Sequence, residues 1–599
     1  MICIRSIELT NVKNVGHGRI KFRDSPFGTR VTGIYGQNGS GKTTVVDAFE
    51  CVRALMCGEP LGQRSADLIG PLLPVATIEV ELEVTRGSST SLGLSDAVGS
   101  SVAQGQPFFV GYSFSFDAPE GQARLVEEAV AVRSQGVPKR VLYGCAYDQQ
   151  GCGRGMLPAS RWRALRALAG QEAELELMVA QRSGDRRAAS KVFCDAMMGF
   201  ALAARERYQA RQASGKLSRS AGEAYAGTLV PLMDCVTLAA TFAKDKLVVC
   251  NTQRNAVLAF NVFTFSAPDS MQGPWAPGSP SSSPILRDVT LSVDKTTVVS
   301  AEVFQAVQAT VATINRVLCQ LVPGLSIEVR QLHDETLDCG AAGKRIEVLS
   351  RRGEVVVPFR TESEGIKKIV SMLGWLIDVY NDDSSCLVVD EIDSGVFEFL
   401  LGELLEVVSQ RGRGQLIFTA HNLRALECLP SGCLVFTTVN PQNRYIRFRG
   451  SGASNNLRNQ YLRAINLGGQ KEPVYQPTSS ADIDAAFFGA GCSADEDQVD
   501  FDDLLSRLAE GEGLLDLADA AAGAVPATDA SAGAAAGLTA DAACADAADG
   551  DDSEVRHEEG AARGALLGGG LQRGGVFGGA VSQVVREPGR RRRGEQRRR

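Results

Sequence analysis

GIYGQNGSGKTTVVDAF, Gly33 to Phe49, sets a glycine-rich turn between an apolar strand and a helix. Gly36 to Thr43 satisfies the pattern G-x-x-x-x-G-K-[ST] in full. Glycines let the backbone curl until successive N–H groups converge on a phosphate, and the following helix adds the partial positive charge of its N-terminus. In this frame Lys42 reaches the β- and γ-phosphates, and Thr43 holds Mg2+ through its hydroxyl. The expected nucleotide contacts are Gly36, Gln37, Asn38, Gly39, Ser40, Gly41, Lys42, Thr43 and Thr44.

Working outward, RVTGIYG is the strand feeding the loop, preceded by two more strands in IRSIELTNV and GRIKF. Beyond the loop Val45, Ala48, Phe49 and Val52 recur at helical spacing. ATIEVELEV alternates strictly, with Ile78, Val80, Leu82 and Val84 opposed to Glu79, Glu81 and Glu83. That is the pattern of a half-buried antiparallel strand, and FFVGYSFSF continues it. The stretch 155–245 is rich in Ala, Arg, Glu and Leu and reads as helices without a sustained heptad. Ser266 to Pro284 reads as a Pro/Gly/Ser loop, Ser300 to Val322 as a helix, and RIEVLSRRGEVVVPF as a hairpin turning near Arg352-Gly353.

A phosphate loop needs a second magnesium anchor, and CLVVDEIDSG supplies one 348 residues after Lys42. A buried apolar strand there ends in Asp390 and Glu391, and the carboxyl ends of strands are where an α/β sheet binds ligand. Asp390 is placed to bind Mg2+ through water, and Glu391 to polarise an attacking water as general base. An ordinary strand-end acidic pair is the alternative. CLVVD, QLIFTAH and CLVFTTV are short continuous apolar runs, which suit the buried strands of a parallel sheet.

Bulk properties narrow the class. Hydrophobic residues make up 44% of the chain and charged residues 22%, which fits a globular protein able to bury a large core. A net charge of −8 excludes a polycation that coats nucleic acid. No apolar run reaches the roughly 20 residues that span a bilayer, and the alternating N-terminus is not a signal-peptide core, so a cytoplasmic protein without a membrane partner is expected. Fifteen cysteines without a C-x-x-C pair read as reduced thiols, and four histidines without ligand spacing give no zinc site. From about Ser493 an acidic patch leads into an Ala/Gly/Asp tract and ends in GRRRRGEQRRR, a composition that reads as disordered. In NRYIRFRG, Arg447 and Arg449 fall on one strand face near Arg444, with Arg458 and Arg463 following. That face could hold nucleic-acid phosphates or simply be solvated.

The consecutive Asp390-Glu391 resembles the ABC-type ATPases, which include transporter motors and the SMC and RecF proteins. The resemblance extends to TAHN, which puts His421 where that superfamily carries its switch histidine. EIDSG looks like the D-loop, with Asp393 near the dimer seam. TESEGIKKIV resembles a degenerate signature motif, with Ser363 and Gly365 in the key places, although the usual L-S-G-G-Q wording is absent and a plain helix N-cap at Ser363 is the alternative. No convincing Q-loop glutamine emerges; Gln63 is a candidate. The long gap between the two halves is typical of the SMC/RecF branch. IELTNVKNV is similar to that branch's first strand, which puts Lys13 and Asn14 in a stretch that can lie near nucleotide. Nearest are predicted bacterial AAA-family ATPases of RecF-like type, found in phage-defence and DNA-maintenance loci. The insertion is too short for SMC arms. About seventy residues between His421 and the tail are too few for the Toprim nuclease of the overcoming-lysogenization relatives.

What the resemblance implies is an α/β P-loop NTPase, an ABC-ATPase head with a RecA-like core. It divides into an N-terminal half with an antiparallel β subdomain (1–150), a helical insertion (151–250), strands with a Pro/Gly/Ser loop (251–299), a C-terminal half (300–475) and a disordered tail (476–599). It implies ATP and Mg2+, with Glu391, His421 and Lys42 catalytic, Thr43 and Asp390 on the metal, and Ser363 and Gly365 serving the nucleotide of a second copy. ATP hydrolysis by such a homodimer would gate a separate effector, with DNA and a separately encoded nuclease or toxin as candidate partners. A transporter motor subunit and a non-hydrolysing ATP-bound scaffold are the alternatives.

Overall fold

The computed structural model describes residues 1–22, 30–85, 107–147, 153–182, 188–251, 262–266, 288–292, 295–337, 340, 342–448, 457–468 and 471–491. The chain divides into two units, Met1–Ser493 and Ala494–Arg599, and every described residue lies in the first. The Ser266–Pro284 loop, apart from its first residue, and the tail beyond 491 lie outside the described residues.

The first half of the chain gives β1 (Ile2–Val12), β2 (Val15–Lys21), β3 (Val31–Tyr35), α1 (Lys42–Met56), β4 (Ala76–Val84), β5 (Phe108–Asp117), β6 (Arg124–Ser134), β7 (Arg140–Tyr147) and β8 (Gly153–Leu157). All but β3 join one antiparallel sheet in the order β2-β1-β4-β5-β6-β7-β8. β4 carries the alternation read from its sequence, with Ile78, Val80 and Leu82 at most 1% exposed. The opposite face pairs charges across strands: Glu81 with Arg133 at 2.8 Å and Arg5 at 3.2 Å, and Glu79 with Lys139 at 2.5 Å. Such half-exposed pairs add little stability, at most about 1 kcal/mol each, but they favour this register.

Helices α2 (Ala159–Ala169), α3 (Gln171–Arg182), α4 (Asp195–Ala213), α5 (Arg219–Ala224) and α6 (Val230–Asp245) follow. Trp162 is buried beside Tyr143 and Phe200 and donates to the Leu142 carbonyl at 3.1 Å, fixing α2 to β7. Glu128 on β6 is wholly buried and accepts from Tyr112 Oη (2.7 Å), Tyr147 Oη (3.2 Å), Ser190 Oγ and the Lys191 N–H (3.0 Å). The segment before α4 is thereby tied to the sheet. A π-turn, Tyr225–Leu229, joins α5 and α6 into one 27-residue helix. By length and composition alone this helix could cross a membrane, although Asp234 interrupts its apolar run. Within the fold, 56% of its apolar window is buried, and α6 packs on α1, β7 and β9 (Leu247–Cys250).

β10 (Val262–Ser266) pairs with β11 (Asp288–Ser292). β12 (Thr297–Ser300), α7 (Ala301–Leu321), β13 (Leu325–Thr336), β14 (Ala342–Arg352) and β15 (Val355–Pro358) form a small sheet covered by α7. The hairpin turns at Gly353 with φ +60°, where a side chain would be strained. Ser300 caps α7 by accepting from the Val303 N–H at 3.2 Å.

The C-terminal part contains α8 (Glu364–Asn381), β16 (Cys386–Val389), α9 (Glu398–Arg411), β17 (Gln415–Thr419), α10 (Ala425–Cys428), β18 (Leu434–Thr437), β19 (Tyr445–Ile446), α11 (Leu457–Asn466) and α12 (Ser480–Gly491). The last of these is a helix inside the stretch read as tail. The second large sheet has the order β19-β18-β3-β17-β16-β9, all parallel except β19. The three apolar runs of the sequence are its buried centre. β3 lies between β17 and β18, so the loop-bearing strand is flanked only by strands about 380 or more residues further along the chain. The buried Gln415 joins the two sheets: its side-chain amide accepts from the Ile4 N–H and donates to the Ile4 carbonyl, each at 2.9 Å, where β1 slips register against β4.

Candidate functional site

The loop between β3 and α1 is built by close approaches only glycine permits. A Cβ on Gly36 would lie 1.6 Å from Thr437 Oγ1 at the end of β18, and one on Gly41, at φ +92°, would lie 2.9 Å from Val15 Cγ2. Thr437 Oγ1 donates to Ser40 Oγ at 2.6 Å, and Ser40 Oγ donates to the Gln37 carbonyl at 2.7 Å. Lys42 is 6% exposed, and its Nζ donates to the carbonyls of Gly36 (2.9 Å) and Gln37 (2.8 Å). Burial pushes its ammonium below the usual lysine range, while Asp390, Glu391 and Asp393 pull it back up. Asn38 and Gly39 form the exposed tip.

Elements outside the motif brace it. Asn14 donates to the Gly39 carbonyl and accepts from Thr44 Oγ1 at 3.4 Å, and Tyr445 Oη donates to the Gly41 carbonyl at 2.8 Å. Lys13 pairs with Asp47 on α1 at 2.5 Å, and Asn251 donates to the same carboxylate at 2.6 Å. The segment 472–476 crosses back to the loop. Glu472 accepts from Asn440 and Asn443, the Pro473 carbonyl accepts from the Val439 N–H at 2.7 Å, and the Gln476 N–H donates to Gln37 Oε1 at 2.9 Å.

β16, buried along its whole length, delivers Asp390 at 2% exposure. Thr43 Oγ1 lies 3.3 Å from Asp390 Oδ1, and Thr419 Oγ1 donates to the same oxygen at 2.5 Å. Two hard oxygen donors 347 positions apart in the sequence thus meet at the start of α1. The Thr43 hydroxyl is a hard oxygen ligand of the kind Mg2+ takes, and Asp390 beside it is placed to reach the same ion through a bound water. Among the described residues no group of three His, Cys, Asp or Glu side chains could hold a metal, so an ion here would draw its remaining ligands from water and phosphate.

Glu391 has φ +47°, a conformation that costs a non-glycine residue about 1–2 kcal/mol. Its N–H donates to Thr419 Oγ1 at 2.7 Å, and its carbonyl accepts from Lys368 Nζ. Asp393 Oδ2 accepts from the N–H groups of His421 (2.8 Å) and Asn422 (2.5 Å), which fixes the loop after β17. His421 itself is exposed.

Ser363 is the N-cap of α8 and accepts from the Ile366 N–H at 3.4 Å, the capping role kept as its alternative reading. Gly365 meets the loop 391–395: a Cβ there would lie 2.0 Å from the Gly395 carbonyl oxygen. These contacts tie both residues to their own helix and to the loop after β16, not to the phosphate loop of the same chain. Gln63 opens a 3-10 turn and is exposed.

The arginine face is corrected. Arg444 is 6% exposed and donates to the carbonyls of Thr438, Val439 and Asn14, and Arg447 donates to those of Gly432, Leu434 and Lys21. The strand there is two residues long, so the guanidinium groups tie loops together instead of forming a phosphate-binding or solvated face. Arg458 pairs with Glu427 at 3.1 Å, Arg463 is exposed on α11, and Arg449 lies outside the described residues. Thr419, Thr437 and Lys368 were not singled out from sequence. The first two do close β17 and β18 at their carboxyl ends, which was the available signal.

A family model described as an AAA domain matches residues 6–57, which takes in β1 to α1 and stops well short of the carboxylate-bearing strand. No curated protein matches the chain. Solved structures similar to it include the Smc head domain of Pyrococcus yayanosii with a coiled coil and joint (12% identity, TM-score 0.35, covering 77% of this chain and 99% of that one). Others are the Smc head of Pyrococcus furiosus bound to the C-terminal domain of ScpA (12%, 0.33, 75% and 96%) and the SMC head domain of Thermotoga maritima (15%, 0.30, 75% and 99%). The strand–loop–helix unit set in a parallel sheet is a P-loop NTPase fold.

Proposed function

We propose that this protein binds and hydrolyses ATP as an ABC-type head of the SMC/RecF-like branch, and that its ATP-bound state is a head-to-tail homodimer. The observation that carries the reading is the contact of Thr43 with Asp390 at 3.3 Å, between residues 347 positions apart. Lys42 and the N–H groups of Gly36–Thr44 would bind the β- and γ-phosphates. Thr43 and Asp390 would hold Mg2+, which when bound offsets phosphate charge. Glu391 takes the proton of the attacking water, and His421 lies on the neighbouring loop to meet the γ-phosphate. Ser363 and Gly365 at the start of α8 serve the nucleotide of the second copy, with Asp393 near the seam. ATP then stabilises the closed dimer as a shared ligand, and hydrolysis releases it. The work gated this way is DNA-related, in defence or maintenance, through a separate effector, in the cytoplasm.

Two variants test this. Lys42→Ala loses ATP binding, and Glu391→Gln binds ATP, stalls and accumulates as a dimer in size-exclusion chromatography with light scattering. Parent-like turnover in both variants overturns the reading. Tight ATP binding with no turnover in the parent would mean a scaffold instead, and co-purification with a membrane subunit a transporter motor.

A further inference from the structure

Three contacts run from the first two turns of α8 to the loop that carries the acid. Gly365 packs on Gly395, with a Cα of one 3.7 Å from the Cβ position of the other. One helical turn further on the same face, Lys368 Nζ donates to the carbonyls of Glu391 (2.5 Å) and Ser394 (3.1 Å). Lys368 is 5% exposed, so its ammonium has been taken out of water to make these bonds. Burying a lysine is unfavourable unless neighbours compensate. Here they do: Asp393, Glu391 and Asp390 all stabilise its charge, although burial still pushes its pKa below the usual lysine range.

The Glu391 peptide is therefore gripped at both ends, by Thr419 on its N–H and by Lys368 on its carbonyl. That grip matters because Glu391 is one of three described non-glycine residues with positive φ. Left to itself, the peptide relaxes toward negative φ, which re-aims the carboxylate. We propose that Lys368 is a positioning residue for the reaction: its buried ammonium holds the 391–394 carbonyls, keeps Glu391 in its left-handed conformation, and so aims the general base. Because Lys368 belongs to α8, any shift of that helix moves the base with it. The inference rests on the ATPase reading above.

The test uses the full chain and four proteins: parent, Lys368→Met, Glu391→Gln and the double variant. Lys368→Met keeps side-chain length and removes the donors. We expect its kcat to fall at least 30-fold while its Kd for ATP stays within threefold and its melting transition remains cooperative. The double variant should turn over no more slowly than Glu391→Gln, because both changes act through one carboxylate. Amide hydrogen exchange at 390–395 should rise at least tenfold in Lys368→Met and stay unchanged in α7. If Lys368→Met does not fold, Lys368→Gln, which keeps a shorter, uncharged NH2 donor, gives the same pattern at smaller size. A kcat within twofold of the parent, unchanged exchange at 390–395, or additive losses in the double variant each overturn the proposal. If the parent does not hydrolyse ATP, the ATPase reading fails, while the exchange comparison still decides whether Lys368 holds the loop.

Discussion

Thr419 Oγ1 lies 2.5 Å from Asp390 Oδ1 and 2.7 Å from the Glu391 N–H, so one buried hydroxyl donates to the first acid and accepts from the second. Thr419→Val keeps the shape and removes both bonds. A buried group left without its partner costs about 1–3 kcal/mol. We expect a loss of stability in that range by urea denaturation and a drop in kcat of about tenfold, with ATP binding retained. Thr419→Ser should restore most of both.

Gly365→Ala drives a methyl to 2.0 Å from the Gly395 carbonyl oxygen, a backbone atom held in its loop. Overpacking of this kind costs about 1–3 kcal/mol. Gly374→Ala, on the same helix and facing open space, is the control, and there the gain in helix propensity should raise stability by up to about 1 kcal/mol. Opposite shifts of the two melting temperatures are the expected result.

Glu128→Gln replaces an acceptor-only carboxylate that serves four donors with an amide that presents two donors of its own. At least one buried donor then faces another. The expected cost is about 2–4 kcal/mol of unfolding free energy, read from urea denaturation. The network touches no phosphate-loop residue, so the affinity for ATP below the unfolding transition should not change.

Glu472→Ala should loosen the segment over the phosphate loop, because its two amide partners, Asn440 and Asn443, anchor that segment. Hydrogen exchange across 473–478 is expected to rise several-fold without a change in the global transition. The same bonds hold the Glu472 carboxyl below the usual glutamate range. The unfolded chain thus takes up this proton more readily than the folded one. The anchor is fully present above the ordinary value of about 4.3, and is lost as pH falls through the lower, folded value. Exchange in the parent at acidic pH should approach that of Glu472→Ala.

Much of this architecture was readable because it is local. The phosphate loop is a contiguous pattern, and β16, β17 and β18 announce themselves as apolar runs too short for helices. What escaped is what depends on distant partners. β9 is a four-residue edge strand that follows a long helix after a single residue, Lys246, with no glycine or proline to mark the break. Lys368 looks like any lysine on an amphipathic helix until the loop after β16 folds against it. Arg444 and Arg447 look like a basic face because the carbonyls they bind come from other loops and, for two of them, from more than 400 residues upstream.

The central place of β3 bears on how the chain is made. Its neighbours β17 and β18 are encoded about 380 residues or more later, so the strand leaves the ribosome with no parallel mate. At translation speeds of about 5–20 residues per second, that wait lasts roughly 20–80 s. Throughout it an apolar strand stays open to wrong pairing, which makes this a chain whose synthesis should draw on chaperones more heavily than its finished stability suggests.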